Sequence, residues 1–224
     1  MYLNMQEEDN MKIEVNNVTK KFKESIVVND VTVTFESGKI YGLIGKNGSG
    51  KSVLLKMICG FYSPTEGEIL FDGENIIKQQ KFPPNTGALI ERPGFIGTLT
   101  GLENLILLSR IQNKITVDDI HNTLKQVNLY EEKDKLFSKY SLGMKQKLGI
   151  AQAIMENPDI IILDEPFNGI EDETTEELRS LLLELKKQNK LIILATHIKD
   201  DIDKIVDVVY RLNVGKLELK ERNK

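Results

Sequence analysis

The chain has 224 residues, 40% of them apolar and 29% charged, which is enough to bury one sizeable core or a core carrying an inserted lobe. That composition excludes the disordered and fibrous classes. Acidic residues outnumber basic ones by 34 to 30, for a formal charge of −4, so overall charge supplies no reason to expect nucleic acid as a partner.

Residues 1–10 are polar and acidic, unlike a targeting peptide, and are expected to form a loosely held, flexible extension before a folded part that starts at Met11. Residues 13–15, 31–35 and 68–71 alternate apolar and polar positions and read as half-buried strands. Ser37-Gly38 and Asp72-Gly73 supply turns between them. Residues 40–44 are more continuously apolar and run directly into a glycine-rich loop. A helix from Ser52 then ends at Gly60, a left-handed cap. The single cysteine, Cys59, excludes an internal disulfide, fits a reducing compartment, and reads as a small core residue.

From Leu102 to Asn157 the period becomes helical, with Leu102, Leu105, Ile106, Leu108 and Ile111 on one face. This stretch reads as a helical lobe, residues 91–157, inserted in an α/β core. After Pro158 come a strand at 160–163, a helix over 175–187 and a strand at 191–196. Thr174 and Glu177 have the spacing of a capping box at the start of that helix. Strands alternating with helices predict a mostly parallel sheet with ligands at its carboxyl edge, next to an antiparallel β region. No apolar run approaches the roughly 20 residues that span a bilayer.

The loop Gly45-Lys46-Asn47-Gly48-Ser49-Gly50-Lys51-Ser52 matches G-x-x-x-x-G-K-[ST], with a strand before it and a helix after. Its glycines let backbone N–H groups turn inward around phosphates, and the helix N-terminus adds a favourable dipole. Lys51 would reach the β- and γ-phosphates, and the Ser52 hydroxyl would ligate Mg²⁺. No guanine-reading N-K-x-D follows, which leaves Mg-ATP as the expected ligand. Residues 160–163 end in Asp164 and Glu165. Two adjacent acids at the end of a buried strand need a cation or water. Asp164 fits the magnesium acid, and Glu165 the base that orients the attacking water. His197, after the next apolar strand, stands where a side chain contacts the γ-phosphate and Glu165 together. His121, on a polar helix, has no such position.

Tyr140-Ser141-Leu142-Gly143-Met144-Lys145-Gln146-Lys147 resembles the signature motif L-S-G-G-Q of ABC ATPases; Ser141 and Gly143 match, Leu142 and Met144 depart. With the phosphate loop, the Asp164-Glu165 strand and His197, the resemblance covers nearly the whole chain from Met11. It implies an α/β P-loop NTPase fold with an inserted helical lobe. It also implies a dimer, homo- or heteromeric, in which Ser141 and Gly143 of a second ATPase subunit meet the γ-phosphate. Phe22 falls where an aromatic stacks on adenine, and Val53 where a hydroxyl residue usually contacts the α-phosphate. Glu91 stands where the family usually has Gln and would be a metal ligand. Asn168-Gly169-Ile170-Glu171 replaces the usual S-A-L-D.

The resemblance further implies the ATP-hydrolysing subunit of a transporter, peripheral on the cytoplasmic face of a membrane beside a separate membrane-spanning permease. Ala88-Leu89-Ile90-Glu91-Arg92-Pro93 together with Ser141-Leu142-Gly143-Met144-Lys145-Gln146 looks like the branch that exports antimicrobial or amphipathic peptides, bacitracin and lantibiotics among them. The alternative is a soluble ABC-type ATPase of translation or DNA repair. Translation factors that this resemblance would imply usually join two such cassettes in one chain, and repair ATPases carry a long coiled-coil insertion; 224 residues leave room for neither. A P-loop kinase would leave the signature segment and His197 unexplained.

Overall fold

The computed structural model describes residues 11–76, 78–79, 81–91, 94–197 and 199–220; the flexible extension expected at 1–10 lies outside them. Two sheets and six α-helices make up the described chain. Strands β1 (Lys12–Phe22), β2 (Ser25–Glu36) and β4 (Glu66–Phe71) form an antiparallel sheet in the order β2-β1-β4. The second sheet is built on β3 (Ile40–Ile44), β5 (Thr86–Leu89), β6 (Ile160–Asp164), β7 (Leu191–Ala195), β8 (Val208–Asn213) and β9 (Lys216–Lys220). Its order is β5-β6-β7-β3-β8-β9, parallel throughout except for the terminal β8–β9 pair.

Every residue of β3, β6 and β7 is buried, as continuous apolar runs in a parallel sheet covered on both faces require. Alternate side chains serve two cores. Tyr41, Leu43, Ile160, Ile162, Ile193 and Ala195 face α1 (Lys51–Ile58) and the antiparallel sheet. Ile40, Ile161, Leu163, Ile192 and Leu194 face the other helices. Leu54, Leu55, Met57 and Ile58 of α1 are fully buried between the sheets, which fixes the helix that starts the phosphate loop's exit. Gly60, at φ 76°, ends α1 as expected. Cys59 is buried beside it, and burial pushes its thiol up to about 12.

Between β5 and β6 lie α2 (Gly101–Gln112), α3 (Val117–Gln126) and α4 (Leu142–Ile154), with two short 3₁₀ turns before α4. Helices α2 and α3 both open on capping boxes, Thr100 with Glu103 and Thr116 with Asp119. Leu105 is fully buried, and Leu102, Ile106 and Leu108 pack against the same core. Ile111 is the exception on that face: it is 78% exposed and lines a groove with Phe61 and Phe82.

The expected capping box at Thr174 and Glu177 is not formed. Helix α5 (Asp172–Lys187) starts earlier, with Glu171 at its N-cap and no side-chain cap, and Glu177 instead pairs with Lys147 at 2.5 Å. Asp172 and Glu173 in the first turn complement the helix dipole in place of a cap. Strands β5, β8 and β9 and helix α6 (Lys199–Ile205) complete the order without having been read from the sequence.

Strand β5 crosses α4 so closely that a Cβ on Gly87 would fall 1.6 Å from the Ala153 carbonyl oxygen and 2.9 Å from the Pro158 ring. Gly87→Ala therefore forces β5 away from α4. We expect it to lower unfolding free energy by about 3 kcal/mol, read as a lower denaturant midpoint.

Candidate functional site

Three buried strands deliver the site. Across β3, β7 and β6, Leu43 pairs with Ala195 and Ala195 pairs with Asp164, so these residues form one row across the sheet. One residue past the row stands Glu165, and two past it stand Gly45 and His197. The phosphate loop, both acids and the histidine thus emerge at one carboxyl edge because the pairing register puts them there.

The phosphate loop wraps the N-terminus of α1. Gly50 is the N-cap at φ 106°, a conformation that L side chains rarely adopt, and a Cβ there would meet the Val27 carbonyl oxygen at 2.6 Å. Lys46, Asn47 and Gly48 are exposed, whereas Ser49, Gly50 and Lys51 are buried. Lys51 is 6% exposed; its ammonium donates to the Gly45 carbonyl at 2.9 Å and lies 3.6 Å from Glu165 Oε1. An ammonium curled back over its own loop is placed to reach a phosphate seated there.

Glu165 has φ 51°, a left-handed conformation for a non-glycine residue, pinned by its N–H donating to the Ala195 carbonyl at 2.8 Å. Its two oxygens are divided between partners: Oε1 faces Lys51, and Oε2 is 2.8 Å from His197 Nδ1. His197 is half exposed, so its ring can present the other face to a ligand. Asp164 is buried and accepts from the Ser52 hydroxyl, while its Oδ1 is buried with no partner. Burial raises its pKa above the usual carboxylate range, opposed by the Ser52 hydrogen bond and Lys51 and reinforced by Glu165 and Glu91. Ser49 Oγ is likewise buried and unpartnered.

A cavity of about 510 Å³ joins these parts. It is lined by residues 47–53 with Val27, Glu91, Leu142, Gln146, Asp164, Glu165, Asn168 and Gly169. The hard oxygens of Ser52 and Asp164, one of them an orphaned buried carboxylate oxygen, fit Mg²⁺. Among the described residues no three His, Cys, Asp or Glu side chains gather as a metal cage. Mg²⁺ commonly takes one or two carboxylates plus substrate phosphates, and Asp164 supplies one such carboxylate.

The other expected residues divide between this cavity and its surroundings. Phe22 is 39% exposed, stands edge-on to Tyr62 at 5.4 Å and lies under the Lys20 ammonium at 5.1 Å. It does not line the cavity, whereas Val27 of the same hairpin does. Glu91 lines the cavity, but its carboxylate is bound by Lys56 at 2.5 Å, a contact that raises the lysine's pKa. Ser141 caps α4, accepting from the Met144 N–H at 3.2 Å. Ser141 and Gly143 line a second cavity, of about 270 Å³, with Gly169, Glu171 and Thr174; Leu142 and Gly169 line both this cavity and the one at the phosphate loop. Gln146 was not singled out by sequence; its amide donates to the Glu165 carbonyl at 3.4 Å. No local signal marks it, because the contact depends on where α4 docks.

The family model described as ABC transporter matches residues 28–168. The chain belongs to the ABC transporter family. It is an ATP-binding subunit carrying that family's ATPase domain. It is 42% identical over 210 residues to an uncharacterized ABC transporter ATP-binding protein of Bacillus subtilis, covering 94% of this chain and 96% of the relative. It is 40% identical over 221 residues to a bacitracin transport ATP-binding protein of Enterococcus faecalis, covering 95% and 72%. A lantibiotic transport ATP-binding protein of Streptococcus pyogenes is 30% identical over 209 residues, covering 93% and 90%. Among solved structures, an ATP-binding subunit of an ABC transporter aligns with TM-score 0.83 at 27% identity, covering 94% of this chain and 90% of that one. An ATP-binding cassette in its ADP conformation aligns at 0.82 and 25% identity, covering 93% and 89%. Subunits of this family work with membrane permeases and pair with one another. No helix among the described residues is long and apolar enough to cross a membrane.

The state of Asp164 gives a test of this geometry. Its folded pKa is raised, so the native state holds its proton to higher pH than the unfolded chain does. The penalty of burying the charge is complete above the folded pKa and absent below the unfolded one. Asp164→Asn should therefore raise the denaturant midpoint of the nucleotide-free protein at pH ~7, and the gain should shrink as pH falls toward about 4.

Proposed function

We propose that this chain binds Mg-ATP in the 510 Å³ cavity and hydrolyses it with Glu165 as the base, powering export of an antimicrobial or amphipathic peptide through a separate permease. The observation that carries the reading is the Lys51–Glu165–His197 arrangement at the mouth of the phosphate loop. Residues 45–52 hold the phosphates through backbone N–H groups and Lys51. Glu165 takes the proton of a water whose oxygen bonds the γ-phosphorus, as the bond to the β-phosphate oxygen breaks and ADP leaves. His197 orients Glu165 and offers its exposed face to the γ-phosphate. Bound Mg²⁺, held by Ser52 and Asp164, would neutralise charge on the β- and γ-phosphates.

Ser141 and Gly143 do not line the phosphate-loop cavity of their own chain, which supports a site completed by a second ATPase subunit, identical or homologous. Gly169, Ile170, Glu171 and Thr174 line the same cavity, which supports a part for that segment in the contact. Val27 is proposed as the hydrophobic wall on the nucleotide's base side, with Phe22 turning toward it from its place on Tyr62. Residues 91–157 form the lobe that carries the signature segment.

A second groove, of about 600 Å³, is proposed as the permease seat. It is lined by Phe61, Phe82, Leu108, Ile111, Met155 and Pro158, among others. Phe61, Phe82 and Ile111 are each more than half exposed there, a contiguous apolar rim suited to a partner's side chains. Peripheral placement on the inner face of the membrane follows from that docking. The peptide cargo rests on the bacitracin and lantibiotic relatives, and the short stretch around Glu91 supports the same branch.

Two variants separate the parts of this reading. Lys51→Ala should lose ATP binding and hydrolysis together. Ile111→Glu should keep the ATPase rate of the isolated subunit while losing co-purification with the permease encoded beside it. ATPase assays and capture on the tagged permease read the two outcomes. Retained hydrolysis in Lys51→Ala, or undiminished capture of Ile111→Glu, contradicts the corresponding half.

A further inference from the structure

Lys56 follows Ser52 by four residues on α1, so both side chains stand on one face of the helix, about one turn apart. Ser52 meets Asp164, and Lys56 meets Glu91, with 2.5 Å between Nζ and Oε1. The lysine is 21% exposed at its side chain and the glutamate 66% exposed. The ammonium also lies 5.7 Å from the Tyr62 ring centroid, which limits the directions it can take. Glu91 adopts φ 66°, a left-handed conformation unfavourable for a residue with a Cβ. The carboxylate is thus held on the cavity wall, one turn of α1 beyond the Ser52–Asp164 pair rather than in it. A neutral amide at position 91 would have no charge to pair with Lys56. With Glu91 there, two cationic attractions compete for one carboxylate: the fixed ammonium, and the divalent ion that accompanies a nucleotide.

We propose that Lys56 is a positioning residue that competes with the divalent cation for the Glu91 carboxylate, so that metal–nucleotide binding releases the Lys56–Glu91 pair. Position 91 lies between β5 and α2, so release of the pair ties the entry to the helical stretch to occupancy of the site. This inference rests on Ser52 and Asp164 being the metal site.

The test is a double-mutant cycle on Mn²⁺ affinity, measured by electron paramagnetic resonance of free Mn²⁺ with a non-hydrolysable ATP analogue present. A partly exposed ion pair sets the scale, so Lys56→Gln should tighten Mn²⁺ by about two- to five-fold. Glu91→Gln should weaken it, and adding Lys56→Gln to Glu91→Gln should give a gain at least about two-fold smaller than in the wild-type background. Lys56→Arg, which keeps the pair, should bind Mn²⁺ as the wild type does. Equal effects of Lys56→Gln in both backgrounds, or weaker binding in Lys56→Gln alone, would overturn the proposal. Asp164→Asn separates the two levels. If it abolishes Mn²⁺ binding while the cycle shows no coupling, only the role of Lys56 fails. If it leaves Mn²⁺ affinity unchanged, the metal-site reading fails and the role of Lys56 with it.

Discussion

The register of three parallel strands governs this site. Leu43, Ala195 and Asp164 stand side by side across β3, β7 and β6, so the residues that follow each strand come out at one level. A one-residue slip of β6 would send Asp164 and Glu165 to the opposite faces of the sheet. That slip is opposed by burial on both sides, since every side chain of the three strands is enclosed between two cores. The packing around α1 belongs to the same constraint: four fully buried apolar residues fix the helix whose first turn carries Lys51 and Ser52. The core is therefore what aligns the phosphate loop with the acids.

The polar residues at that edge are placed at a cost. Asp164 is buried with an unpartnered oxygen, Ser49 has a buried unpartnered hydroxyl, and Glu165 sits in a left-handed conformation. Each of these is expensive in an empty site and reasonable beside phosphate, metal and water. Glu165 is held between an ammonium and an imidazole, so its position is set before a substrate arrives. Preorganisation of this kind lowers the reorganisation needed at the moment of reaction.

The phosphate loop was legible because its chemistry constrains spacing: Gly50 needs a positive φ, and Lys51 and Ser52 must follow at once. Strands β3, β6 and β7 were legible because double-sided burial leaves a continuous apolar run. Strand β5 was not, since Thr86-Gly87-Ala88-Leu89 has a single fully buried residue and its key feature is a missing side chain against α4. Thr174 and Glu177 had the spacing of a cap, yet α5 starts earlier on acidic residues that satisfy its dipole. Ile111 kept the helical period but lies on an exposed groove rim, and periodicity does not distinguish a core side chain from one that lines an exposed groove. The Lys56–Glu91 pair joins residues 35 positions apart and left no local trace. Gln146 is similar, because its contact with Glu165 exists only once α4 is docked.

The account makes Glu165 the group that activates water while leaving nucleotide binding to the loop and Lys51. Comparing Glu165→Gln with the wild type in ATP binding and in single-turnover hydrolysis tests that division most directly. The amide keeps the size and a hydrogen bond to His197 but cannot take a proton. The account predicts retained ATP affinity with hydrolysis slower by ~10²- to 10⁴-fold. An undiminished rate, with binding intact, would contradict it.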